Sequence, residues 1–248
     1  MQTATVEVRT PDGTADAYLT RPDGDGDLPG VLFVMDAYGL RPRIDEMADR
    51  IADRGYVVLA PNVFYRAGRA PVLPMPDHTD PQSHADFMTS VRPLMSALTP
   101  EIIARDSAAY LDFLSGRATG PVGITGYCMG GRFGWRVAAA HPDRVASLGS
   151  FHGGGFVTDA PDSPHRSADR LQAELYFGHA DQDRSMTPEQ IGVLERALDD
   201  AGANYRSELY EGALHGYTMS DTAVYNEEAA ERHFRELFAL LERTLDRG

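Results

Sequence analysis

The segment Gly123-Ile-Thr-Gly-Tyr-Cys-Met-Gly-Gly131 constrains this chain more than any other. It follows an apolar run, residues 122–125, that reads as a strand, and it precedes residues 130–140, which read as a helix. A cysteine between Gly126 and Gly130 at such a junction has the spacing of a nucleophile elbow, with a thiol where a hydroxyl usually stands. The turn is tight, so a side chain two positions either side of Cys128 would collide with the packed strand or helix. Glycine is therefore a mechanical requirement at both places. At a helix N-terminus the sulfur also meets free amides and the positive end of the helix dipole, which favour a thiolate. The plainer alternative is a buried structural cysteine, since free cysteine is among the most buried residue types. Placement after a strand, before a helix, and ahead of an acid and then a histidine in chain order favours catalysis.

The rest of the chain alternates in the way such an elbow needs. Val6 and Val8, then Ala15, Ala17 and Leu19, alternate with polar neighbours around Asp12-Gly13 and predict an antiparallel hairpin. An acidic, glycine-rich turn at residues 23–27 leads into residues 31–35, a continuous apolar run suited to a strand covered on both faces. Ile44, Met47, Ala48 and Ile51 recur at helical spacing up to Gly55, and residues 56–60 form a further apolar run. Helices follow at 100–114, 188–201 and 222–245, and strands at 145–151, 175–177 and 205–210. The expectation is a single domain over residues 1–248 of α/β class, a doubly wound, mostly parallel sheet with an antiparallel N-terminal hairpin. Residues 61–82, proline-rich and without periodicity, read either as a lid or as a surface excursion. Residues 152–168, glycine-rich and then acidic, also interrupt the alternation.

Composition removes several classes of function. A single cysteine excludes an internal disulfide and a multi-cysteine metal site. The formal net charge of −14, with no basic block, argues against a nucleic-acid partner. No apolar stretch approaches the roughly 18 residues that cross a bilayer, and residues 1–13 lack a charged head followed by an apolar run. We expect a cytoplasmic protein that makes no use of a membrane, either monomer or homodimer, with no cofactor and no metal, since no histidine and carboxylate cluster has ligand spacing.

His215, in Glu211-Gly-Ala-Leu-His-Gly-Tyr217, lies between the last strand and the last helix, where it reads as the base for Cys128. His78, His84 and His165 fall in polar loops and His141 just past a helix end, so surface or capping roles are expected for them. His233 is expected on the solvated side of the final helix. For the acid, the loop after residues 175–177 offers Asp181 and Asp183. Asp183 is preferred, because an apolar residue stands three positions on and Pro188 opens the next helix.

With these residues in place the chain resembles the dienelactone hydrolase family, carboxymethylenebutenolidase-like α/β-hydrolases, over nearly its whole length. The resemblance is carried by the Gly126-Tyr-Cys-Met-Gly-Gly131 elbow, the loop acid and the Ala213-Leu-His-Gly-Tyr217 loop. It implies the α/β-hydrolase fold, a small-molecule ester or lactone as substrate, and a Cys128–His215–Asp183 triad. It implies that the amides of Ala37 and Met129 form an oxyanion hole. It also puts an acid beside the resting thiol at Asp36, one methylene shorter than the family's usual glutamate. Tyr38, His152, Tyr217 and Arg92 would line the pocket or assist the thiol, although His152 reads equally well as a structural histidine. The family's dienelactone enzymes grip the substrate carboxylate with arginines, one of them four positions beyond the histidine. Met219 stands there in this chain, which argues against dienelactone itself.

Overall fold

The computed structural model describes residues 1–24 and 26–245; Asp25, within the turn expected over 23–27, and residues 246–248 lie outside them. The hairpin forms as β1 (Gln2–Thr10) and β2 (Gly13–Arg21), paired antiparallel about the turn at Asp12. β2 runs antiparallel to β4 (Val57–Pro61), and β4 lies parallel to β3 (Pro29–Val34). From β3 the sheet continues parallel through β5 (Thr119–Tyr127), β6 (Val145–Phe151), β7 (Glu174–Ala180) and β8 (Tyr205–Tyr210). The order is β1-β2-β4-β3-β5-β6-β7-β8.

Burial explains the order. All six residues of β3 and all five of β4 are buried, as central parallel strands covered on both faces must be. Each apolar side chain among them contributes about 1.5–3 kcal/mol by leaving water. One face of the sheet is covered by α1 (Pro42–Ala52) and α6 (Glu227–Thr244), the other by α3 (Pro100–Ser115) and α4 (Met129–Ala140). The capping box at Thr187 and Gln190 opens α5 (Pro188–Asp200), which ends where residues 188–201 were expected to end within one position. No helix among the described residues is long and apolar enough to cross a membrane.

Two features depart from the sequence reading. A helix, α2 (Pro81–Ser96), follows the proline-rich stretch, and it escapes detection by periodicity because it buries only Phe87 and Val91. His233 is fully buried rather than solvated. It falls on the apolar face of α6, four residues after Ala229 and four before Leu237, both buried. Its Nδ1 lies 2.9 Å from the Ala230 carbonyl and its Nε2 lies 2.8 Å from the Tyr127 hydroxyl. Nδ1–H therefore donates to the carbonyl and Nε2 accepts from the tyrosine, and burial pushes the ring down to about 3, keeping it neutral. The pair braces Tyr127, the residue before Cys128.

Candidate active site

The segments just past β3, β5, β6, β7 and β8 carry Asp36, Cys128, His152, Asp183 and His215. They meet at the carboxyl edge of the parallel sheet, where open α/β sheets form their crevice. Cys128 stands between the last residue of β5 and the first of α4, with φ 55° and ψ −118°. A residue bearing a Cβ costs on the order of 1–3 kcal/mol in so sparsely populated a conformation, and the surroundings must hold it. The Cys128 amide donates to the Phe151 carbonyl at 3.2 Å, and its carbonyl accepts from the amides of Gly131 at 3.2 Å and Gly154 at 3.4 Å. A Cβ on Gly126 would stand 2.2 Å from the Gly130 carbonyl oxygen, and one on Gly130 would stand 2.3 Å from that of Val34. The elbow closes only with glycine at both positions.

His215 makes two polar contacts. Its Nδ1 is 2.6 Å from Asp183 Oδ2 and 3.2 Å from the Ser185 hydroxyl, and the ring lines the same cavity as Cys128. Burial alone would drive the proton off; the sulfur and the carboxylate outweigh it and hold His215 well above its ordinary value. Burial likewise pushes the Asp183 carboxyl up, and hydrogen bonds from His215 and Ser185 reverse this and leave it below its ordinary value. Ser185 donates to Asp183 Oδ1 from its amide at 2.8 Å and from its hydroxyl at 2.7 Å, fixing the acid's orientation. Ser185 has no catalytic signature in the sequence; the only local cue is that an aspartate readily accepts from the backbone amide two residues on. Asp181 is occupied elsewhere: its Oδ2 accepts from the Gly212 amide at 3.0 Å and ties the β7 loop to the β8 loop.

Asp36 lines the cavity but is engaged by a cation rather than the thiol. Its two oxygens accept from Arg41 Nη1 at 2.7 Å and Nη2 at 3.0 Å, and Oδ1 also accepts from the Tyr38 amide at 3.0 Å. Such a two-point contact is that of an ionised carboxylate. Arg41 reaches on to Asp221 Oδ2 at 2.5 Å, so one arginine ties the loop after β3 to the loop beyond His215. The Tyr38 and Gly39 amides both bond to Asp36, and Ala37 between Asp36 and Tyr38 lines the cavity. The Met129 amide belongs to the first turn of α4, whose N–H groups have no internal acceptor.

These residues surround a cavity of about 860 Å³. Tyr38 lies in its wall, packed against Phe87 and His78, with burial pushing its phenol up to about 12. His152 also lies in the wall, buried, with Nε2 2.8 Å from the Thr218 hydroxyl and its ring edge-on to His215 at 5.3 Å between centroids. Burial, with His215 nearby, pushes His152 well down and keeps it neutral. Two expected lining residues lie outside the wall. Tyr217 is fully buried behind it, donating to the Gly178 carbonyl at 3.1 Å. Arg92 faces solvent, because Val91 takes the buried position and the next residue turns away by about 100°. The wall instead draws on His78, Asp80 and the α2 residues His84, Phe87, Met88 and Met95, and on Arg132 of α4. Among the described residues no group of three or more histidine, cysteine or acidic side chains could hold a metal ion.

The sheet order and the crevice at its carboxyl edge define an α/β-hydrolase. The sequence matches the Dienelactone hydrolase family over residues 15–245, and the chain belongs to that family. A carboxymethylenebutenolidase of Rhodococcus opacus is 28% identical over 227 residues, covering 91% of this chain and 84% of its own. A Salmonella typhi protein described as a candidate carboxymethylenebutenolidase is 29% identical over 225 residues, covering 87% of this chain and 77% of its own. Among solved structures, a candidate dienelactone hydrolase from Klebsiella pneumoniae superimposes with a TM-score of 0.81 at 23% identity, over 98% of this chain and 100% of that one. The family is one of ester and lactone hydrolases, and this chain is a hydrolase of that kind.

Proposed function

We propose that the chain cleaves a carboxylic ester or lactone of a small metabolite through an acyl-cysteine intermediate. The observation that carries the reading is the 2.6 Å contact between His215 and Asp183 at the wall of the one cavity that Cys128 also lines. The Cys128 thiolate attacks the carbonyl carbon, and the amides of Ala37 and Met129 receive the charge that develops on its oxygen. The His215 imidazolium gives its proton to the departing alkoxide. The imidazole, now neutral, takes a proton from water as that water attacks the thioester, and the carboxylic acid leaves as the thiolate reforms. Asp183 keeps the ring oriented and supports its positive charge. Met219, buried in the wall four residues past His215, offers a thioether where a dienelactone-type grip calls for an arginine. We therefore assign a small ester or lactone other than dienelactone, with no nucleic acid or membrane as partner.

This reading predicts a pH dependence, measured on an unactivated alkyl ester whose alkoxide needs the proton. Turnover declines on the alkaline side as His215 loses its proton, and the raised value of that histidine puts the decline well above about 6.5. In Asp183→Asn the supporting anion is gone, so the alkaline limb moves down, with the rate reduced by up to about 10⁴. A limb that stays in place in Asp183→Asn contradicts the assignment of the acid.

A further inference from the structure

The N-terminal end of α1 grips the loop that carries His215 at two points. Arg41 Nε donates to Asp221 Oδ2 at 2.5 Å, and its Nη2 donates to Asp221 Oδ1 at 3.3 Å. Arg43 Nη2 donates to the Thr218 carbonyl at 2.8 Å, and the Thr218 hydroxyl lies 2.8 Å from His152 Nε2. Between these two ties stands Met219, in the cavity wall. On its other side the same Arg41 guanidinium holds the loop between β3 and α1. Besides its two bonds to Asp36, its Nη1 donates to the Gly39 carbonyl at 3.1 Å, and it lies 5.2 Å from the centre of the Tyr38 ring. Residues 36–39 thus fold around the arginine, with Ala37 among them.

Arg41 is itself fixed in place. It is the N-cap of α1, in the extended backbone expected before Pro42, and its carbonyl accepts from the Ile44 amide at 2.8 Å. The helix behind it is anchored by Ile44, Met47, Ala48 and Ile51, all buried. Both loops are therefore registered on one rigid post.

Stability does not account for the arrangement. Arg41 and Asp36 are 8% and 3% exposed, and a buried ion pair gains little over apolar side chains of similar size once desolvation is counted. Asp221 adds a second carboxylate to one cation, and its charge disfavours ionisation of the first. What a buried charge network supplies is register, because it accepts one set of partners in one geometry. The segments registered here are those of Ala37 and His215, which line one cavity with Cys128.

We propose that Arg41 is a positioning residue: through Asp221 it sets the Ala37 loop against the His215 loop, so that a carbonyl oxygen held by the first lies in register with the proton donor on the second. The kinetic part rests on the hydrolase reading above; the latch between the two loops does not. Arg41 acts through the loops and not on the substrate.

The test opens the Asp221 end of the latch, because deleting Arg41 would strand the buried Asp36 charge. Asp221→Ala, Asp221→Asn, Arg41→Lys and the double variant Arg41→Lys/Asp221→Ala are compared with wild type on an alkyl ester, for kcat, KM and pH dependence. Hydrogen–deuterium exchange of residues 36–40 is followed beside them. Asp221→Ala should lower kcat by about ten- to a hundredfold, the scale of a misplacement of up to about 1 Å, with KM nearly unchanged. The alkaline limb should stay in place, because His215 keeps Asp183. Asp221→Asn still offers an oxygen to Nε and should recover most of the rate. The double variant should be no slower than Arg41→Lys, since a lysine cannot span both acids and each change opens the same latch. The amides of 36–40 should exchange faster in Asp221→Ala. A lowered melting temperature with unchanged kcat, unchanged exchange, or losses that multiply in the double variant would each overturn the proposal. If wild type turns over no ester, the hydrolase reading falls, and the exchange measurement alone upholds or overturns the latch.

Discussion

Gly130→Ala should lose both the stability and the activity of this protein. The added methyl would meet the carbonyl oxygens of Val34 and Met35 at 2.3 and 2.7 Å, and both are backbone atoms of the β3 end that cannot swing aside. The clash is relieved only by moving β3 or α4, so the cost lies at or above the upper end of the roughly 1–3 kcal/mol range for overpacking. In a chain of this length that corresponds to a fall in Tm of about 6–12 °C. The same displacement moves Cys128 relative to the Ala37 amide, and a shift of about 1 Å in a reacting geometry costs on the order of 100-fold in rate. Gly192→Ala is the control. Gly192 lies in α5 with only the tip of Arg196 near, at 3.4 Å, so alanine there should be neutral or stabilising by up to about 1 kcal/mol. Thermal melts of the two variants beside wild type decide the matter; a Gly130→Ala protein that melts like Gly192→Ala would show that the elbow does not need its glycine.

The second large effect is chemical. Cys128→Ala removes the nucleophile, and His215→Ala removes both the proton donor to the leaving group and the charge that supports the thiolate. Each should reduce kcat by something on the order of 10⁶, and the double variant should be scarcely worse than either single one, because the residues act as a unit. Measured turnover on an alkyl ester in the three variants checks this. Effects that multiplied in the double variant would show that the two side chains serve separate steps or separate sites.

What the sequence reveals and what it hides follow from the range of the interactions involved. The elbow, the hairpin and the parallel strands are legible because sterics and periodicity act over a few residues: Gly126 and Gly130 meet backbone within the turn, and β3 and β4 are buried along their whole length. The loop histidine and the two candidate acids are legible from chain order, while only the fold shows that Asp183 meets His215 and that Asp181 meets Gly212. The engagement of Asp36 by Arg41 is local in sequence, yet the partner that completes it, Asp221, is 180 residues away from Arg41. His233 looked solvated among charged neighbours, and its partner Tyr127 is 106 residues distant. Arg92 and Arg132 are both helix arginines in the sequence. Which of them faces the cavity is decided by how α2 and α4 lie on the rest of the molecule, a tertiary fact with no local signature.

The central claim is that Cys128 forms a covalent acyl intermediate, and intact-protein mass spectrometry after mixing with p-nitrophenyl acetate tests it most directly. The account predicts one acetyl group per chain, located on Cys128 by peptide mapping, absent from Cys128→Ala and accumulating in His215→Ala if that variant still acylates slowly. Turnover of the ester with no adduct on Cys128 at any time, or an adduct of equal yield in Cys128→Ala, would contradict it.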